Sequence, residues 1–125
     1  MEPYTVYLTS RNYSTFTHSL SKTLHNMKQY EVKLSGCIIS PTMDQSIVVQ
    51  CNCISPQLYN NEMASVLGIA NAQTGLICSE YVSLCYDEIS FIRCRVSDVD
   101  LNPISLNHDV LLMLHFRPTH LSSMC

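Results

Sequence analysis

"HDVLLMLHFRP", residues 108 to 118, is the stretch whose reading decides the fold. Apolar side chains follow one another without interruption from Val110 to Leu114, and Phe116 comes two residues later. A bilayer-spanning helix needs about 20 apolar residues, so this run is too short to cross a membrane. Asp109 bounds it on one side and Pro118 on the other, as turn-forming and charged residues bound a strand. The run predicts a strand covered on both faces, with Val110, Leu112, Leu114 and Phe116 on one side and Leu111, Met113, His115 and Arg117 on the other.

Upstream of this run the chain alternates with period two. "YTVYLTS" places Tyr4, Val6 and Leu8 on one face and Thr5, Tyr7 and Thr9 on the other. "YEVKLSGCII" predicts Tyr30, Val32, Leu34 and Ile38 inward, with Glu31, Lys33 and Ser35 outward. "SIVVQCNCI" sets Ile47, Val49, Cys51 and Cys53 against Ser46, Gln50 and Asn52. In "ISFIRCRVSD" the inward set is Ile92, Cys94 and Val96, which leaves Arg93 and Arg95 in solvent or at an interface. Turn signals separate these runs: "SPTMDQ" from Ser40, "SPQLYNNE" from Ser55, "NAQTG" from Asn71 and "SDVDLNP" from Ser97. Short alternating runs divided by such signals indicate an all-β sandwich or barrel.

Two segments compete with that reading. Phe16, Leu20, Leu24 and Met27 recur at helical spacing, and "NEMASVLGIANA" has the form of a helix capped by Asn60 or Asn61. Against the first helix stand Ser14, Thr15, Thr17, Ser19, Ser21 and Thr23, which together are poor helix formers.

With 125 residues the chain makes one domain with one core, and no repeat or linker divides it. The 7 Lys and Arg are outnumbered by 10 Asp and Glu, and basic residues gather only at Arg93 and Arg95. Nucleic acid is therefore not the main partner expected, because neutralising phosphates takes a concentrated positive face. The cysteines Cys37, Cys51, Cys53, Cys78, Cys85, Cys94 and Cys125 are odd in number, mostly set in apolar runs, and "MEPYTVYLTS" has no leader character. Reduced thiols in a cytosolic or nuclear protein are the expectation.

Catalytic patterns are sparse. Cys51 and Cys53 point to one side of a strand, as two metal ligands would, but no second Cys or His pair follows at zinc spacing, so both read as core residues. His115, beside Arg117, reads as a hydrogen-bonded structural histidine rather than a base. Gly36, Gly68 and Gly75 are too far apart for a phosphate loop, and no nucleophile stands out with its partners. No enzyme activity, cofactor or metal is expected.

Several stretches, in order, resemble the small single jelly-roll penton (minor capsid) proteins of Polinton or Maverick elements and adintovirus-like viruses. "YTVYLTS", "STFTHSL" and "YEVKLSGCIISP" are similar to that family's opening strand, F-x-x-x-L segment and W-E-V-x-L strand. "VVQCNCISPQLYNNEMASVLGI" resembles its Y-C-D-I-x-x-P-Q-x-V-G stretch, and "ISFIRCRVSDVDLNPISLNHDVLLMLHFRP" its closing pair, which ends in L-H-F-R. The resemblance spans almost the whole chain. It departs at Tyr30, where the family usually has Trp, at Asn52, which replaces an acidic residue, and at Leu101 and Asn102, within a turn that is typically D-x-x-G-x-P.

The resemblance implies a single jelly-roll antiparallel β-sandwich of about eight strands, in which "STFTHSL" and "ASVLGI" are extended rather than helical. It implies a structural virion protein of the capsid, made in the host cytoplasm and assembled there or in the nucleus, with five copies at each five-fold vertex. Its partners would be further copies of itself, the major capsid protein and a fibre or receptor, with no membrane insertion. A closed ring needs heterologous contacts, in which one face of a subunit meets a different face of the next. Candidate contact residues are Arg93, Arg95, Asp100, Asn102, Met113, His115 and Arg117. The alternative is a jelly-roll binding module, lectin-like or ligand-like, acting outside a capsid.

Overall fold

The computed structural model describes residues 2–11, 14–40, 45–71, 75–104 and 109–119. Its strands are β1 (Tyr4–Arg11), β2 (Thr15–Leu24), β3 (Tyr30–Ser40), β4 (Ser46–Cys51), β5 (Gln57–Tyr59), β6 (Glu62–Ala64), β7 (Val66–Asn71), β8 (Gly75–Ser79), β9 (Val82–Ser83), β10 (Ile89–Ser97) and β11 (Asp109–Pro118). The helical element among the described residues is one 3₁₀ turn, Met27–Gln29. The turns expected at "SPTMDQ" and "NAQTG" lie mostly outside the described residues, as does Cys125.

One sheet has the order β1-β11-β3-β9 and the other β2-β10-β4-β7-β8, with a separate β5-β6 hairpin. The pairings are nested: β1 with β11, β2 with β10, β3 with β9 and β4 with β7, all antiparallel. A long antiparallel hairpin rolled up on itself gives that nesting, and the roll adds the contacts β11 with β3 and β10 with β4. The fold is an all-β jelly-roll sandwich.

β11 is hydrogen-bonded on both edges, but only one of its faces is covered, not both as the unbroken apolar run predicts. Val110, Leu112, Leu114 and Phe116 are buried, while Leu111, Met113, His115 and Arg117 are half-buried on the other side. Tyr4 stacks on Phe116 at 5.2 Å between ring centroids and meets Tyr30 at 5.7 Å. Tyr30 stays buried and donates its hydroxyl to the Glu2 carbonyl at 3.2 Å. The facing sheet contributes Phe16, Ile47, Val49, Cys51, Ile92, Cys94 and Val96 to the same core.

Both helix expectations give way to strands. Phe16, Leu20 and Leu24 are four apart, a spacing that puts side chains on one face of a strand as well as of a helix, and the hydroxyl residues between them decide for β2. Asn60 and Asn61 do not cap a helix. They are the two loop residues between Tyr59 and Glu62, at φ 49 and 64, and positive φ at both central positions is what a type I′ hairpin turn requires.

One facing assignment is also corrected. Ile38 points outward and is 53% exposed, whereas Cys37 and Ile39 are buried. The register shift between Met113 and Leu114 is the cause: Met113 pairs with Gly36 and Leu114 with Leu34, so Ser35 is an extra residue. A bulge of one residue exchanges the faces of everything beyond it. Met113 lies over Gly36, with its methyl end where a Cβ would project.

Candidate functional site

The outward side chains of β1, β11, β3 and β9 form rows across the sheet, fixed by its register. Tyr7, Met113 and Gly36 make one row, and Thr9, Leu111 and Ile38 the next. Tyr7 is 64% exposed. Together with Ile38, Leu111 and Met113 it makes an apolar patch on an otherwise polar face.

A charged aromatic cluster borders this patch. Thr5, His115 and Lys33 occupy the next row, and Tyr81 leans in from beside β9. The Tyr81 hydroxyl and His115 Nδ1 are 2.8 Å apart. The Arg117 guanidinium lies 3.5 Å from the Tyr81 ring centroid, and Lys33 Nζ lies 5.0 Å from it. Arg117 Nε donates to Glu31 Oε1 at 2.6 Å from the adjacent position on β3. Arg stacks on a ring face and hydrogen-bonds in its own plane, so one side chain serves both contacts. Tyr81 has no place in the sequence reading, because what joins it to His115 is sheet register and not chain proximity.

Arg93 and Arg95 project from β10 on the outer face of the other sheet. Arg93 Nε donates to Thr17 Oγ1 at 3.2 Å, its backbone N–H to Asn52 Oδ1 at 2.7 Å, and Arg95 Nη2 to the Leu101 carbonyl at 3.1 Å. Both arginines line a hollow of about 590 Å³ together with Gln50, Asn52, Glu62 and Asp100. Asp100 and Asn102 belong to a tight turn organised by Asp98, whose Oδ1 accepts both of their backbone N–H groups at 2.9 Å. Leu101 sits in that turn at φ 65, the left-handed region that favours glycine.

The structure thus divides the seven candidate contact residues. Arg93, Arg95, Asp100 and Asn102 gather on one outer face, and Met113, His115 and Arg117 lie on the opposite one. Next to the hollow the β5-β6 hairpin holds out a cross-strand pair, Leu58 and Met63, 70% and 65% exposed. The Tyr59 hydroxyl donates to the Val99 carbonyl and ties the hairpin to the Asp98 turn. The exposure of Tyr7 follows from the alternation of β1; that of Leu58 and Met63 depends on a hairpin at residues 57–64, where the sequence predicts a turn and a helix start.

The C-x-C pair is in the core. Cys51, Cys53 and Cys94 are buried and free, and Cys51 Sγ lies 3.2 Å from Cys53 Sγ. Among the described residues, no group of three or more His, Cys, Asp or Glu side chains is placed to hold a metal ion, and no helix is long and apolar enough to cross a membrane. Neither a protein-family model nor a curated protein matches the sequence.

Proposed function

We propose that the protein is a structural subunit, a penton-like capsid protein that closes into a five-membered ring and contacts surrounding capsid subunits. The observation that carries this reading is the uncovered apolar patch of Tyr7, Ile38, Leu111 and Met113 on the outer face of a jelly-roll sheet, rimmed by Glu31, Lys33, Tyr81, His115 and Arg117. An apolar centre with a polar, arginine-bearing rim is the anatomy of a protein–protein contact. The unlike surface on the opposite side, with its polar hollow and projecting Leu58 and Met63, supplies the second half of a heterologous contact. The resemblance in the order of the motifs supports the same reading.

Each neighbour contact in such a ring buries at least about 1,000 Å². Light scattering on the purified chain, followed by electron microscopy of the product, tests the proposal. A species of five subunit masses with five-fold symmetry is expected. A monomer at all concentrations, or a trimer, favours a ligand-like binding module instead.

A further inference from the structure

We infer that Cys51 and Cys94 are a cross-strand dithiol that a hydroperoxide closes to a cystine inside the folded sandwich, with Cys53 as the thiol that assists. The two residues are paired directly across β4 and β10. The Asn52 N–H donates to the Arg93 carbonyl at 3.0 Å, one residue beyond the pair on each strand, which makes Cys51 and Cys94 a non-hydrogen-bonded pair. Such pairs bring their Cα atoms to about 4.5 Å, with side chains converging. That separation lies within the roughly 4.4–6.8 Å window that a disulfide spans. Both residues are at most 2% exposed, and Cys51 lies at the wall of the hollow on the β10 face.

Cys51 is the centre of the cluster. It shares thiol hydrogen bonds with Cys53 and Cys94, which hold it well below the usual cysteine range, while those same hydrogen bonds and then burial push Cys53 and Cys94 up. Cys51 is therefore the first of the three to ionise and the nucleophile of the set. Its thiolate attacks one oxygen of hydrogen peroxide and the O–O bond breaks. The displaced hydroxide takes a proton from the site and leaves as water, and Cys51 becomes a sulfenic acid. The Cys94 sulfur then attacks the Cys51 sulfur, its proton and the departing hydroxyl leave as a second water, and the disulfide forms. In sum two thiols lose two hydrogens and one peroxide becomes two waters. Peroxide suits the site because it is scarcely larger than water, while Cys51, Cys53 and Cys94 are each at most 2% exposed behind the surface hollows that Cys51 and Cys53 line.

The bond would join the two strands that lie side by side in the middle of the second sheet and close a loop through β5 to β9, a constraint that weighs mainly on the unfolded chain. The test uses the whole reduced protein, exposed to hydrogen peroxide without denaturant, then blocked with an alkylating reagent in denaturant and mapped by mass spectrometry without reduction. A peptide pair linked through Cys51 and Cys94, with native circular dichroism and a melting temperature raised by several degrees, is expected. Cys53→Ala should still form the bond, but severalfold more slowly. Linkage of Cys51 to Cys53, linkage that appears only in denaturant, or peroxide adducts on other cysteines with Cys51 and Cys94 still free would overturn the inference. Because mapping is done on the unsubstituted chain, the result does not depend on whether Cys94→Ala folds.

Discussion

The two outer faces of the sandwich treat their arginines differently. On the face of β1, β11, β3 and β9, Arg117 is fixed between the Glu31 carboxylate and the Tyr81 ring at one end of the sheet, and beyond the His115 row lies the apolar patch of Tyr7, Met113, Leu111 and Ile38. On the face of β2, β10, β4, β7 and β8, Arg93 and Arg95 reach a hydroxyl and a backbone carbonyl and border a hollow of mixed charge. One face is an apolar surface with its charges tied down at the rim. The other is a concave polar surface whose arginines retain donors for a partner. A protein that paired with itself symmetrically would need one self-complementary patch; two unlike faces suit head-to-tail contact.

The largest expected effect comes from charging the apolar face. Tyr7→Glu with Leu111→Glu should leave the subunit folded, since both side chains point away from the core, yet weaken assembly at least about a hundredfold, because central apolar contacts dominate an interface. Wild-type assembly by sedimentation or light scattering would remove this face from the proposed contact. Reversing the other face with Arg93→Glu and Arg95→Glu should weaken assembly about tenfold with little change in melting temperature, as rim charges steer and select more than they bind. If that pair of changes proves more damaging than the first, the roles assigned to the two faces are interchanged.

Within the first face, Arg117→Ala removes an ion pair whose side chains are 27% and 14% exposed, together with a ring contact, and should cost about 1–2 kcal/mol in chemical denaturation. Arg117→Lys should recover less than half of that, because an ammonium cannot stack flat on Tyr81 while hydrogen-bonding Glu31 in plane. Full recovery by Lys would show that only charge matters there. The smallest effect belongs to the second face: Leu101→Gly relieves a left-handed leucine and should raise stability by about 0.5–1 kcal/mol. A loss instead would mean that the packing of the half-buried Leu101 side chain outweighs its backbone strain.

Much of the core was legible in the chain. The inward sets of β1, β4, β10 and β11 follow from alternation alone, because a strand with one face on the core must place every second residue there. The same rule failed within β3, since alternation carries no mark of an inserted residue, and the bulge at Ser35 turned Ile38 outward. Spacing of four residues could not separate strand from helix for Phe16, Leu20 and Leu24, which is why composition had to decide.

The sequence by itself determined that the chain is dominated by strands of a sandwich or barrel, that residues 109–118 form one of them, and that Arg93, Arg95, Met113, His115 and Arg117 point away from the core. These are local properties: side-chain period and turn chemistry act over a few residues. Tertiary structure alone decided that the arginines of β10 and β11 lie on opposite sides of the molecule, that Tyr81 completes the cluster around His115 and Arg117, and that Cys94 stands opposite Cys51. Each of those depends on which strands become neighbours and in what register. Register is set by burial of the whole core at once, and no single segment of the chain encodes it.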